Sequence, residues 1–286
     1  MAKRSEAHPD NHPGAYFVDR SCIDCGTCYD FAPELFADAG DHARVHRQPE
    51  GESQARKAAQ ALVACPVAAI GTEDKTHLQR AAADFPVTLE GDVSYCGYAS
   101  ERSFGGRSYF IRRAGGNVLM DSPRSAQPLF QRLEDLGGVR WMVLSHRDDV
   151  ADHAAYQARF RCERVMHRDD GMKGLERYVE GQDPVPLEAD LLLIPTPGHS
   201  PGSQCLLFGG RYLFTGDHLW WNPQAGRLSA SKAYCWHDWP TQLRSLERLL
   251  AFEFTWVLPG HGAWFQADSP AAMKAELLRA LEALRR

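Results

Sequence analysis

The sequence carries no excess of positive charge. Lys and Arg number 32 against 37 Asp and Glu, a formal net charge of −5. Nucleic acid is therefore not expected as the main partner, because phosphate binding needs a basic face. No apolar run reaches the roughly 18 residues that a membrane-spanning helix requires. The opening MAKRSEAHPDNHPG lacks the apolar stretch of a secretory signal. These absences point to a cytoplasmic protein that does not enter the membrane, a setting in which disulfides are rare. There is no Gly-x-Gly-x-x-Gly fingerprint for a dinucleotide and no flavodoxin-like region, so a resident flavin is not expected. No repeat or low-complexity tract stands out.

Other features are plentiful. The 286 residues are 44% hydrophobic, enough for a real core and long enough for one large or two unequal domains. Eight cysteines in a cytoplasmic protein suggest metal ligands or buried thiols. Residues 1–15 are polar and broken by proline, the pattern of a flexible tail. Residues 16–71 form a first unit, in which YFVD reads as a strand, CIDCGTC as a tight loop and ESQARKAAQALVAC as an amphipathic helix. Residues 72–86 read as a linker or connecting helix. From Val87 to residue 286, apolar strands such as WMVLSH, ADLLLIPTP, RYLFTGD and FTWVLPGHG alternate with helical stretches such as WPTQLRSLERLLAF. That alternation predicts an α/β layered architecture.

Cys22, Cys25 and Cys28 stand three apart, and Cys65 precedes Pro66. Closely spaced cysteines in a loop can turn their sulfurs into one concavity, with backbone N–H groups facing the bound anion. Gly26 allows the loop to come close. The same four thiolates could also hold zinc. CIDCGTCYDFAPELF followed by ACPVAAI resembles the bacterial-type ferredoxin family. The resemblance implies a small α+β module in which all four cysteines hold a single [4Fe–4S] cluster. The remaining cysteines, Cys96, Cys162, Cys205 and Cys235, stand singly and read as buried structural thiols.

The informative histidines follow apolar strands. His146 ends WMVLSH and is followed by Asp148, Asp149, Asp152 and His153; His199 lies in PTPGHSPGS, Asp217 in TGDH and His261 in LPGHG. Strand-end loops of a layered α/β fold gather at one edge, where imidazoles and carboxylates together can bind zinc, iron or manganese. The order of these elements is similar to the metallo-β-lactamase superfamily over residues 87–286. The resemblance implies an αββα sandwich with one or two divalent metals. His146, Asp152, His153, His199 and His261 would be ligands, and Asp217 would bridge two ions.

The first cluster departs from the family's His-x-His-x-Asp-His. It reads HRDDVADH, with Asp148 where the second histidine should stand and Asp152-His153 two residues late. Asp148 or Asp149 could replace the lost imidazole, or both could simply cap the following helix. An oxygen ligand shifts preference from zinc toward iron or manganese. The flavodiiron branch of the superfamily also carries a carboxylate there and reduces oxygen or nitric oxide at two irons.

Three functions are open on this reading. The first is redox chemistry at a mono- or di-metal site fed by the cluster, acting on a small molecule with a redox partner protein as donor. The second is a hydrolase acting on an ester, thioester or phosphodiester, in which Asp152 positions a metal-activated water, Asp217 holds the metals and the cluster is structural or regulatory. The third is an electron carrier or redox sensor with a degenerate metal site. The aromatic segment around Trp236 and His237 reads as wall or packing, His218 as either lining a pocket or facing away, and His167 as structural or exposed.

Overall fold

The computed structural model describes residues 2–286, and the chain divides into two compact units. One runs up to Arg140 and includes Ala151–Arg161; the other comprises Trp141–Val150 and Cys162–Arg286.

In the first unit, strand β1 (Tyr16–Val18) leads through the cysteine loop into the short helix α1 (Thr27–Phe31). The hairpin β2 (Phe36–Asp38) and β3 (Ala43–Val45) follows, then helix α2 (Gly51–Ala64) and strand β4 (Ile70–Thr72). β1 and β4 pair antiparallel, Tyr16 opposite Thr72. The buried face of α2 is built from Ala58, Ala59, Ala61 and Ala64. Such small side chains let other chain segments approach the helix backbone closely, and alanine costs the helix nothing in propensity. Residues 73–86 contain helix α3 (Leu78–Asp84). Beyond it β5 (Val87–Glu90), β6 (Val93–Tyr95), β7 (Tyr109–Ile111) and β8 (Val118–Met120) form an antiparallel meander. Helices α4 (Gln127–Asp135) and α5 (His153–Phe160) complete the unit.

The polar N-terminal stretch, expected to be a flexible tail, is fastened to this unit. The Asn11 carboxamide accepts from Val18 N and Val45 N and donates to Val18 O. Lys3 N donates to Asp19 Oδ2, and His12 N donates to Val45 O. One asparagine side chain thus stands in for a missing strand partner between β1 and β3, which hydropathy alone does not register.

The second unit holds the parallel strands β9 (Trp141–Val143), β10 (Glu163–His167) and β11 (Arg177–Val179). Its larger sheet has the order β12 (Val185–Glu188), β13 (Leu191–Pro195), β14 (Gln204–Phe208), β15 (Tyr212–Gly216), β18 (Trp256–Pro259), β19 (Phe265–Gln266). A separate hairpin, β16 (Trp220–Asn222) and β17 (Arg227–Ser229), leaves after β15.

Helices α6 (Trp239–Arg248) and α7 (Pro270–Leu284) begin with Asp238 and Ser269, whose side chains accept from Thr241 N and Ala272 N. Each such cap is worth about 1 kcal/mol, and Pro240 and Pro270 fit the first turns. Leu246, Met273, Leu277 and Leu281 from these helices share a buried cluster with Ile194, Cys205, Leu213 and Val257 of the sheet. No described helix is long and apolar enough to cross a membrane.

Because β13 and β15 are both antiparallel to β14, and β18 is parallel to β15, the C-terminal ends of β13, β15 and β18 share one edge. His199, Asp217 and His261 follow those ends.

Candidate metal centre and cluster site

The strand-end side chains converge in the second unit. Asp217 Oδ2 lies 3.6 Å from His146 Nε2, 3.8 Å from His199 Nε2 and 3.9 Å from His261 Nε2. Asp148 Oδ2 lies 3.6 Å from His199 Nε2 and 3.9 Å from His146 Nε2. The His146 and His199 rings meet edge to face with centroids 4.7 Å apart. These separations are too long for hydrogen bonds. They suit atoms sharing an ion, since ligands about 2.1 Å from a tetrahedral metal stand about 3.4 Å from each other. His146 Nε2, His199 Nε2 and Asp217 Oδ1 are buried with no hydrogen-bond partner in the protein, which a donor set for a cation explains. Two groups emerge whose ligand atoms lie within 4.8 Å of one another: His146, Asp148 and His199; and His146, Asp149 and Asp217.

Ser145 Oγ sits 2.9 Å from His146 Nδ1 and leaves Nε2 to face the hollow. Two glycines make the approach possible. At Gly216, in the left-handed region, a Cβ would lie 2.5 Å from Ser145 Oγ; at Gly260 it would lie 2.7 Å from both Asp149 Oδ2 and Asp217 Oδ1. The electrostatics are those of a compensated cluster. Burial pushes the Asp217 carboxyl up, but His261, His146 and His199 outweigh it and hold its pKa below the usual range. The His199 imidazole holds Asp148 down. Burial lowers the pKa of His146, so its nitrogen stays available as a lone pair. A divalent ion would supply the positive charge that three neighbouring carboxylates demand.

Asp170 ties the two ligand loops together. Its Oδ2 accepts from Arg147 N at 2.8 Å and Ser200 Oγ at 2.9 Å, and its Oδ1 from Gly202 N at 2.7 Å. Nothing in VMHRDD marks this residue in advance.

Asp152 and His153 belong to neither donor group. The Asp152 carboxylate accepts from Ser125 N at 2.7 Å, Ser125 Oγ at 2.8 Å and Arg102 Nη1 at 3.1 Å, and His153 opens α5. Asp152, expected beside a catalytic water, is thus held within the first unit by Ser125 and Arg102. The carboxylate next to Asp217 is Asp149, buried at 2% exposure. The loop turns at Ala151, φ +27°, between Asp149 and Asp152.

His218 is buried, neither ring nitrogen is hydrogen-bonded within the protein, and burial pushes its pKa down to about 3. Trp236 N donates to His199 O, and its ring, 58% exposed, stands 6.4 Å from the His199 ring. Trp221 instead stacks on Phe265. A groove of about 780 Å³ runs past Pro197, Pro201, His237 and Arg244 and contains none of the metal donors.

In the first unit one pocket is lined by Cys22, Cys25, Cys28 and Cys65 together. Ala43 N donates to Cys22 Sγ at 3.4 Å and Ala69 N to Cys65 Sγ at 3.3 Å. Gly26, φ +81°, caps α1 and delivers Cys28 from its first turn. Burial pushes Cys25 up to about 11, and burial with the neighbouring sulfurs raises Cys28 well above the ordinary thiol value. Four crowded sulfurs with N–H donors aimed at them suit an iron–sulfur cluster, whose iron takes the place of the thiol protons. None of the eight cysteines forms a disulfide; Cys96, Cys162 and Cys205 are buried, and Cys235 is half-buried.

Residues 18–72 match the family model described as the 4Fe-4S single cluster domain of Ferredoxin I. The first unit therefore carries a single-cluster ferredoxin domain. ETHE1 from Myxococcus xanthus superimposes with a TM-score of 0.50 at 21% identity, covering 66% of this chain and 84% of its own. The BLEG-1 B3 metallo-beta-lactamase gives 0.52 at 17% identity, covering 68% of this chain and 100% of its own. The chain has the metallo-β-lactamase fold. Comparison with curated proteins found no match.

Proposed function

We propose that this chain is an iron-dependent redox enzyme acting on a small molecule, with His146, Asp148 and His199 as ligands of the principal ion. The observation that carries the reading is the donor set: two imidazoles and one carboxylate on one face. That set favours iron with open positions over tetrahedral zinc. Iron there and a [4Fe–4S] cluster on Cys22, Cys25, Cys28 and Cys65 would both supply one-electron chemistry.

The protein's own residues do the rest. Asp217 lies against all three histidines and, with Asp149 and His261, offers a second ion position. Asp148 is about half exposed, which leaves its side of the group open to a substrate. Trp236 stands over the His199 edge of that opening. The hydrolytic reading uses the same donors with zinc, where bound water becomes the nucleophile; a β-lactamase among the similar structures supports it at the level of fold alone.

Metal and acid-labile sulfide content of anaerobically purified protein tests the reading. About four iron and four sulfide account for the cluster. One or two further irons, lost on His199→Ala with the sulfide retained, are the expected result. Zinc in their place moves the protein to the hydrolases, and four irons with no other metal ends the enzyme reading.

A further inference from the structure

Residues outside the ferredoxin span reach the cysteine pocket. A Cβ on Gly105 would lie 2.8 Å from Cys25 Sγ, and Thr27 Oγ1 donates to Gly105 O at 3.0 Å. Arg107, 1% exposed, donates to Asp30 Oδ2 at 2.6 Å; it is a compensated charge. Arg124 differs. Its Nη1 donates to Ala99 O at 2.8 Å and Cys65 O at 3.2 Å, and its Nη2 donates to Val63 O at 2.7 Å. The guanidinium also lies over the Tyr98 ring. Every one of these partners is neutral, so a full positive charge, half-buried, is held against the ligand residue Cys65.

We propose that Arg124 sets the reduction potential of the cluster on Cys22, Cys25, Cys28 and Cys65, by placing an uncompensated cation beside the Cys65 end of the pocket. The proposal rests on the reading that these cysteines hold a cluster. Reduction adds one electron from an external reductant and breaks no bond of the chain. The added negative charge is stabilised by a nearby cation, and more strongly where water is excluded. Burial itself pulls the Arg124 pKa down, with proximity to Cys65 acting the other way.

A structural alternative exists, since the same fork satisfies carbonyls at the end of α2. Substitution separates the two. Arg124→Lys keeps the charge and loses the fork, whereas Arg124→Gln keeps an amide donor and loses the charge. The full chain is titrated with dithionite and the reduced cluster followed by paramagnetic resonance, after iron and sulfide have been counted in each variant.

The expected result is a tenfold or greater loss in the reduction equilibrium constant for Arg124→Gln, a downward shift of about 59 mV for one electron. Arg124→Lys stays within threefold of the parent. Cluster loss in the Gln variant alone also supports a role for the charge. An unchanged potential in a fully loaded Arg124→Gln overturns the proposal, as does equal cluster loss in both variants. A parent protein without iron and sulfide defeats the cluster reading instead, before any variant is compared.

Discussion

Replacing Asp170 by asparagine isolates the part of the metal centre that touches no metal. The carboxylate accepts from three donors, two on Oδ2 and one on Oδ1. An amide can keep its oxygen toward Arg147 N and Ser200 Oγ only by turning its NH2 toward Gly202 N. One buried donor then loses its acceptor, costing about 1–3 kcal/mol, and the two bonds kept lose their charge assistance, about 0.5–1 kcal/mol each. Gly202 packs directly on Asp170, where a Cβ would lie 2.6 Å from Asp170 N, so an NH2 turned toward Gly202 N has little room. The loss should total about 2–5 kcal/mol and fall on the loops bearing His146, Asp148 and His199. Partners that orient ligands in this way are worth about 10–100-fold in metal affinity. Competition with a chelator at fixed pH reads the affinity, and a denaturant midpoint reads the stability. Ser200→Ala, which removes one of the three bonds, should give a smaller loss in both. Unchanged metal affinity in a folded Asp170→Asn would show that the loops hold their geometry without this residue and would refute the reasoning.

Gly260→Ala should cost the second ion position and spare the first. Its methyl would press on Asp149 and Asp217 but on no member of the His146–Asp148–His199 group except through Asp217; a metal count unchanged from the parent would contradict the proposed second position. Glu176 is held down to about 2, first by hydrogen bonds from Arg164, which donates Nε and Nη2 at 2.8 Å. Its folded pKa is depressed, so the stability it contributes is full above about pH 4.5 and is lost as the pH falls through about 2. With Glu176 31% exposed, Glu176→Gln should cost roughly 1–2 kcal/mol at pH 7 after allowance for solvent screening. The gap from the parent in urea unfolding should narrow at pH 3.5, and a gap that stays constant would show that the ion pair contributes no such stability.

Much of this architecture is legible in the sequence. Apolar runs that end in SH, TPGHSPGS, TGDH and PGHG become β9, β13, β15 and β18, because a buried strand followed by a glycine-bearing turn leaves little alternative. Of the strands that those runs do not mark, Val87–Glu90, Arg177–Val179 and Val185–Glu188 are edge strands with mixed, half-exposed patterns, whereas Val93–Tyr95 is an inner strand of only three residues. Their pairing comes from neighbours, which local sequence does not encode. Asp149 and Asp152 differ for another reason. Both are acids near a helix start, and nothing in their local sequence marks Asp149 as the one grouped with Asp217 and Asp152 as the one bound to Ser125. Asp170 is harder still, since its partners lie 23 to 32 positions away. The Asn11 clamp shows the same limit, because a polar tail and a polar clasp have identical composition.

The contacts made by Gly105, Arg107 and Arg124 bear on how such a chain can be inherited and recombined. A ferredoxin domain that stood by itself could be moved between proteins as a cassette ending near residue 72. Here that cassette would leave behind the carbonyl that receives Thr27, the guanidinium that neutralises Asp30 and the fork that closes the end of α2. An exchange at that point delivers all four cysteines and an incomplete enclosure around them. Substitutions at positions 105, 107 and 124 would thereby act on the surroundings of cysteines that lie far earlier in the chain. The two segments depend on each other physically, since residues beyond 72 complete the enclosure that the earlier ones begin.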